Sequence, residues 1–318
     1  MDKTSIILLT GFLGSGKTSV LNHLLNTMPQ ARTTGDSAGT GKVGIIVNEF
    51  GKVSIDGPVL RRPGLAITEL NNGSIFCQCL AGTFVDSIVQ MLGYDLEYLL
   101  IESTGLADPS NMKDILQSVR HKTDLPYEYS GVLCVVDAKY FRKLSQSLDT
   151  INRQILAASL IVVNKADLVD EETLEQVKGS IRRLNPLATV VSTTYGAIDP
   201  EHLGSIRRSR LASRMPSLNT PASRPRTLLL KTSDNLQRQS LEAFIERIQD
   251  RIYRLKGLIC LEEGCFRLDV VGQDIRFEPT SLAGEQSELV IIPQPGIDLR
   301  EEVTALLGEI LYIKADII

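Results

Sequence analysis

Residues 11–18 read Gly11-Phe12-Leu13-Gly14-Ser15-Gly16-Lys17-Thr18, and they constrain the chain more than any other stretch. An apolar run, Ile6-Ile7-Leu8-Leu9, precedes them, and a helical pattern from Ser19 to Leu25 follows. Strand, glycine loop and helix in this order make a cradle for phosphates. Gly11, Gly14 and Gly16 let the backbone curl so that successive N–H groups, those of Ser15 and Ser19 included, face an oxyanion. The helix adds its positive N-terminal end. Lys17 is spaced to reach the outer phosphates, and the Thr18 hydroxyl to ligate Mg²⁺.

Composition narrows the class without naming a function. A chain of 318 residues with 43% apolar and 23% charged residues has the balance of an ordinary globular protein and room for two domains. A net charge of −4 gives no reason to expect nucleic acid as a partner. No segment approaches the roughly 18 consecutive apolar residues that span a bilayer, and Met1-Asp2-Lys3-Thr4 lacks a signal-peptide pattern, so a cytoplasmic location is expected. Five cysteines, an odd number, do not read as a disulfide framework. Three histidines, His23, His121 and His202, make no metal-binding tract.

Apolar, β-branched runs recur at Val43 to Val47, Tyr98 to Ile101, Val132 to Val136, Leu160 to Val163 and Thr189 to Val191. Between them lie helix candidates at Lys17 to Asn26, Thr83 to Leu92, Pro109 to Arg120 and Glu171 to Leu184. Strands alternating with helices predict an α/β domain over 1–203, a mostly parallel sheet covered on both faces. Residues 204–226 carry six arginines and three prolines and read as an interdomain linker, with a basic docking surface as the alternative. Residues 227–318 read as a small α+β domain with a mostly antiparallel sheet. There Ser233 or Asp234 is expected to cap a long helix carrying Leu236, Leu241, Phe244, Ile245, Ile248, Ile252 and Leu255, which Gly257 would end. Gly272-Gln273-Asp274 predicts a hairpin turn, and a last helix is expected from about Leu299 to Leu307.

Four further motifs sit at predicted strand ends, where open α/β sheets bind ligands. Asn164-Lys165-Ala166-Asp167 follows the strand Leu160 to Val163. Guanine offers two adjacent donors, which one Asp167 carboxylate accepts; adenine offers no such pair. The Lys165 stem can lie over the base, and Asn164 can tie this loop to the phosphate loop. Near Ser192, at the next strand end, a backbone N–H can meet guanine O6. In Glu102-Ser103-Thr104-Gly105 the acid can hold a Mg²⁺-bound water and the Gly105 N–H can sense a γ-phosphate. Glu102 also has a purely structural reading, as a carboxylate before a helix, but Asp108-Pro109 supplies that cap better. Glu49, in Val47-Asn48-Glu49-Phe50-Gly51, can orient water or bind metal. Finally, Cys77 and Cys79 stand one residue apart after Glu69-Leu70-Asn71-Asn72-Gly73. Thiolates suit Zn²⁺ or Co²⁺, and Glu49 or a partner chain would have to complete such a two-sulfur site; two small apolar residues beneath a loop is an equal reading. Cys134 reads as core; Cys260 and Cys265 flank a hairpin-like turn and read as residues without a role, with pairing as the unsupported alternative.

With these motifs in hand the chain resembles the CobW-like P-loop GTPases. The resemblance rests on residues 11–18, Val47 to Gly51 with Ile55-Asp56-Gly57, Glu69 to Gly73, Glu102 to Pro109, Asn164 to Asp167 and, in the second domain, Tyr253 to Gly257. It implies GTP binding and hydrolysis with Mg²⁺, with Lys17, Thr18, Glu49 and Glu102 as the catalytic set. It further implies coupling to delivery of a metal, or to activation of a metal- or cobalamin-dependent client. One departure stands out. Where the family carries Cys-x-Cys-Cys after Asn-Gly, this chain has Ser74-Ile75-Phe76-Cys77, with Cys79 in addition. That supports an alternative: a GTP-dependent activator, for instance of a corrinoid methyltransferase, with no tight metal site of its own.

Overall fold

The computed structural model describes residues 3–28, 43–49, 66–71, 81–94, 96–206, 227–280, 287–294, 296–311 and 316–317. The chain divides into two compact units, Met1–Pro221 and Ala222–Ile318.

In the first unit seven strands form one sheet in the order β3-β2-β4-β1-β5-β6-β7. They are β1 (Thr4–Thr10), β2 (Val43–Glu49), β3 (Ala66–Asn71), β4 (Tyr98–Glu102), β5 (Tyr127–Asp137), β6 (Leu160–Asn164) and β7 (Thr189–Ser192). Every neighbouring pair is parallel. The reason is legible in the residues: β1 and β6 are buried at every position, which only a sheet covered on both faces allows. On one face Ile7, Leu9, Ile45, Leu100, Val135 and Val162 pack against Val20, Leu21 and Leu24 of helix α1 (Lys17–Thr27). The alternate residues Ile6, Leu8, Ile46, Ile101, Ile161 and Val163 are equally buried toward the other face.

Parallel pairing brings all the carboxyl ends to one sheet edge. Leu9 lies opposite Glu102, Val47 opposite Glu102, Asp137 opposite Asn164, and Val163 opposite Ser192. Four elements of this unit go beyond the sequence expectations. Ala66–Asn71 is a strand, and Phe141–Ser147, Asp149–Ala157 and Glu201–Ile206 are helices. The predicted helix from Pro109 opens instead as a 3-10 turn, Pro109–Asn111, before the α-helix Met112–Arg120.

The second unit is a six-stranded antiparallel sheet in the order β11-β10-β9-β12-β8-β13. Its strands are β8 (Leu228–Thr232), β9 (Ile252–Leu261), β10 (Gly264–Val271), β11 (Asp274–Pro279), β12 (Ser287–Pro293) and β13 (Asp316–Ile317). Leu241, Phe244, Ile245 and Ile248 of the helix Arg238–Ile248, with Val303 and Leu306 of Arg300–Leu306, share one core with Leu255, Ile259, Leu268, Val270, Leu289 and Ile291 of the sheet.

Two expectations fail here. The predicted long helix stops at Ile248; Gln237, not Ser233 or Asp234, precedes it, and Ile252–Leu261 is a strand. Ile252 and Leu255 continue the helical spacing of Ile245 and Ile248, but Leu255 also alternates with Ile259 and Leu261 at a period of two, and pairing with β10 and β12 decides for the strand. Gly257 therefore does not end a helix; it lies mid-strand between Leu268 and Leu289. Cys260 and Cys265 also have a role. They are directly opposed across the β9–β10 hairpin, 4.1 Å apart at Cα, and form a disulfide. Cys134 is buried as expected, and burial pushes its thiol up to about 12 against the opposing pull of the Lys17 charge.

A Cβ on Gly257 would meet the Glu288 carbonyl oxygen at 1.9 Å and Leu289 Cα at 2.8 Å, both backbone atoms that cannot swing away. Gly257→Ala should therefore destabilise the second unit by about 3 kcal/mol. Gly308→Ala, with open space around the added carbon, should leave the urea midpoint unchanged or raised. Equal midpoints for the two variants would refute this packing.

Candidate functional site

The loop from Gly11 to Thr18 leaves the carboxyl end of the central strand β1. Gly14 and Gly16 adopt positive φ, 74° and 98°, and Gly16 caps α1 from the left-handed region. Gly11 (φ 142°) has no room for a side chain, because a Cβ would lie 2.2 Å from the Val135 carbonyl oxygen. No acidic residue occupies the first turn of α1 and no side chain caps it. Its partial positive charge is therefore uncompensated, which is what an anion site requires.

Lys17 is 7% exposed, and its Nζ donates to the carbonyls of Gly11 (3.0 Å) and Phe12 (3.4 Å). A buried ammonium needs partners; the loop supplies carbonyls that phosphate oxygens can replace. The Thr18 hydroxyl donates to Glu102 Oε1 at 3.1 Å. Glu102 closes β4 and is 6% exposed. Hydroxyl and carboxylate together form a hard-oxygen pair, the donor chemistry that Mg²⁺ prefers. Ser15 Oγ and Thr104 Oγ1 are buried with no hydrogen-bond partner among the described residues. Buried hydroxyls of this kind fit a bound oxyanion or its water shell.

Gly105 presses on the phosphate loop, since a Cβ there would stand 2.6 Å from the Leu13 nitrogen. The buried amide of Gln154 donates to the Gly105 and Ala107 carbonyls at 3.2 and 2.9 Å, pinning the segment after Glu102. Asp108 accepts from the Ser110 N–H at 3.0 Å, the capping role expected of it, and meets Arg153 at 3.5 Å.

On the other side of the loop, Asn164 does what its position suggested. Its Nδ2 donates to the Ser15 carbonyl at 2.9 Å, and its Oδ1 accepts from the Gly196 N–H at 2.9 Å. Lys165 follows with φ 60°, and its Nζ meets Asp137 Oδ2 at 2.6 Å. Asp137 Oδ1 accepts from the N–H groups of Lys139 (2.9 Å) and Tyr140 (3.3 Å). Asp167 is exposed in the turn Ala166–Leu168, and the Ala166 N–H donates to the Thr193 carbonyl at 3.1 Å. Ser192 ends β7 with an exposed side chain. The Thr193 N–H beside it is committed to the Val163 carbonyl at 2.9 Å, so it is not the donor for a base oxygen.

Lys17, Thr18 and Glu102 thus form one group, and Asn164, Lys165 and Asp167 a second, joined through Ser15. Glu49 ends β2 beside Asn71. Its side chain, and all of Cys77 and Cys79, lie outside the described residues. Among the described residues no group of three or more His, Cys, Asp or Glu side chains is arranged to hold a metal ion. Sequence reasoning missed Asp137, Gln154 and Gly196. Asp137 carried a usable signal, an acid closing a buried strand like the other motifs; Gln154, inside a helix, carried none.

A parallel sheet with a phosphate loop after its central strand and an Asn-Lys-x-Asp turn two strands away defines a P-loop nucleotide-binding protein. The chain belongs to the CobW/HypB/UreG family: that family's nucleotide-binding domain matches residues 5–192, and the cobalamin synthesis protein CobW C-terminal domain matches residues 226–311. Among curated relatives, zinc chaperone YjiA of Escherichia coli is 31% identical over 207 residues, covering 63% of this chain and 60% of that protein. Zinc chaperone YeiR of Escherichia coli is 25% identical, covering 96% of this chain and 98% of that protein. The match thus spans three fifths of one relative and nearly all of the other. The crystal structure of Zn(II)-bound YjiA GTPase from Escherichia coli is 22% identical, with a TM-score of 0.48 over 98% of this chain and 99% of that one. No helix among the described residues is long and apolar enough to cross a membrane.

Asn164→Ala would leave the Ser15 carbonyl and the Gly196 N–H unpaired in a buried place. A loss of about 2–4 kcal/mol in unfolding free energy is expected from denaturant titration. The exposed Leu168→Ala should cost less than about 0.5 kcal/mol, and similar losses in both variants would contradict the tie.

Proposed function

We propose that the protein is a guanine-nucleotide-dependent metal-handling switch. It binds GTP at the sheet edge, hydrolyses it slowly, and uses the cycle to deliver a metal to a client or to activate a metal- or cobalamin-dependent client. The observation that carries this is the Asn164 side chain, which holds the Asp167 turn at a fixed span from the phosphate loop. A fixed span between a phosphate cradle and a base-reading carboxylate is what nucleotide selection needs.

In this reading Gly11, Gly14, Ser15, Gly16 and Ser19 present the phosphate cradle. Lys17 exchanges the Gly11 and Phe12 carbonyls for β- and γ-phosphate oxygens. Thr18 and Glu102 would hold Mg²⁺, which supplies charge neutralisation at the phosphates. Glu102 or Glu49 orients the attacking water, and the Gly105 N–H reads the γ-phosphate. Gln154, anchoring Gly105 and Ala107, keeps that N–H in register with Leu13. Asp167 accepts the two guanine donors and Lys165, steadied by Asp137, covers the base. A backbone N–H of the turn after Ser192 meets O6. No arginine falls within these motifs, so unassisted turnover should be on the order of 10⁻³ s⁻¹ or less, rising with a partner or metal. The cargo would be Zn²⁺ or Co²⁺, with Cys77, Cys79 and Glu49 as its candidate ligands. The altered cysteine motif favours a second reading, in which GTP drives remodelling of a client and the protein carries no tight metal site.

Xanthine keeps the N1–H donor of guanine but has an acceptor in place of the amino group. An Asn side chain matches that pair. Asp167→Asn should therefore weaken GDP by roughly 100-fold or more and transfer preference to xanthosine diphosphate, as read by nucleotide titration. Lys17→Ala should abolish phosphate release from GTP. Unchanged GDP affinity in the first variant, unchanged hydrolysis in the second, or equal competition by ATP would overturn the assignment.

A further inference from the structure

Among the described residues only two non-glycine residues adopt positive φ: Lys165 at 60° and Tyr195 at 53°. A tyrosine in the left-handed region is an outlier, since its Cβ crowds its own carbonyl there. Both residues lie in loops that leave neighbouring strands, β6 and β7. The two loops are joined twice: the Ala166 N–H donates to the Thr193 carbonyl, and the Gly196 N–H donates to Asn164 Oδ1.

The strain at Tyr195 is imposed from its flanks. Gly196 (φ 74°) lies on the first turn of α1, where a Cβ would meet the Val20 nitrogen at 2.6 Å and the Ser19 carbonyl carbon at 2.8 Å. The Thr193 hydroxyl donates to the Ala197 carbonyl at 2.5 Å, and the Ala197 N–H donates to the Thr194 carbonyl at 3.1 Å. The backbone is thus fixed against both the phosphate helix and the base loop. The side chain is 82% exposed, an aromatic ring held out in water on a turn that cannot relax. The exposed ring gains no packing in the free protein, and backbone outliers cluster at ligand clamps and active sites.

We propose that Tyr195 is an aromatic wall of the nucleotide site, packing its ring against the purine nucleoside of the bound guanine nucleotide. The proposal rests on the guanine-nucleotide reading above. Stacking on a base face is insensitive to base identity, so Tyr195 contributes affinity while Asp167 contributes selection.

Tyr195→Gly separates a ligand role from a structural one, because the two move different readouts. Glycine relaxes φ 53° and removes the ring. The thermal midpoint should stay level or rise, while GDP binds at least about five-fold more weakly, the low end of a base–aromatic stack. Tyr195→Phe should keep wild-type GDP affinity. The chain contains no tryptophan, so Tyr195→Trp makes a single-site reporter whose emission should change on adding GDP. Unchanged GDP affinity in Tyr195→Gly, or silent emission in Tyr195→Trp, would overturn the proposal while wild-type binding of GDP left the parent reading standing. Failure of the wild-type protein itself to bind GDP would overturn that parent reading.

Discussion

One side chain holds the nucleotide-binding edge together. Asn164 reaches from the end of β6 into the phosphate loop at Ser15 and, with its other amide atom, to Gly196 on the turn after β7. A Cβ on Gly16 would stand 2.2 Å from its nitrogen, so the glycine in the loop and the asparagine are fitted to each other. The parallel sheet makes this contact possible by delivering the ends of β1, β6 and β7 to the same edge. The sheet's buried strands provide the rigidity, and the asparagine converts that rigidity into a fixed distance between loops.

The same economy governs the charged groups. Lys17 is buried and met by loop carbonyls, Lys165 is met by Asp137, and Thr18 is met by Glu102. None of these side chains has to cross solvent to reach a ligand. Their ordering cost is met in the folded protein rather than at binding, which favours affinity. The buried hydroxyls of Ser15 and Thr104 mark the positions where the protein is not self-sufficient.

Much of this was legible in the sequence because the motifs encode backbone geometry directly. Gly11, Gly14 and Gly16 each announced a conformation or a close approach, Asp108 announced a cap, and runs such as Leu160 to Val163 announced strands buried on both faces. The parts that were not legible depend on pairing. Ile252 and Leu255 continue the helical spacing of Ile245 and Ile248, and only the flanking strands show that they belong with Leu258 to Leu261 in one strand. Cys260 and Cys265 could be seen to flank a hairpin-like turn, but only the strand register that opposes them makes them partners. Gln154 looked like any polar helical residue until its helix lay beside the Gly105 segment. Ala66–Asn71 was hidden because its short run carries a glutamate and an asparagine, and its strand character comes from pairing with β2.

In the proposed function the nucleotide at this edge governs metal handling. The direct measurement is zinc affinity of the full chain by competition with a chromophoric chelator, in the presence of GDP and of a non-hydrolysable GTP analogue with Mg²⁺. At least about a ten-fold difference in zinc dissociation constant is expected between the two nucleotide states, a coupling of typical allosteric size. Identical zinc affinities in both states would contradict it.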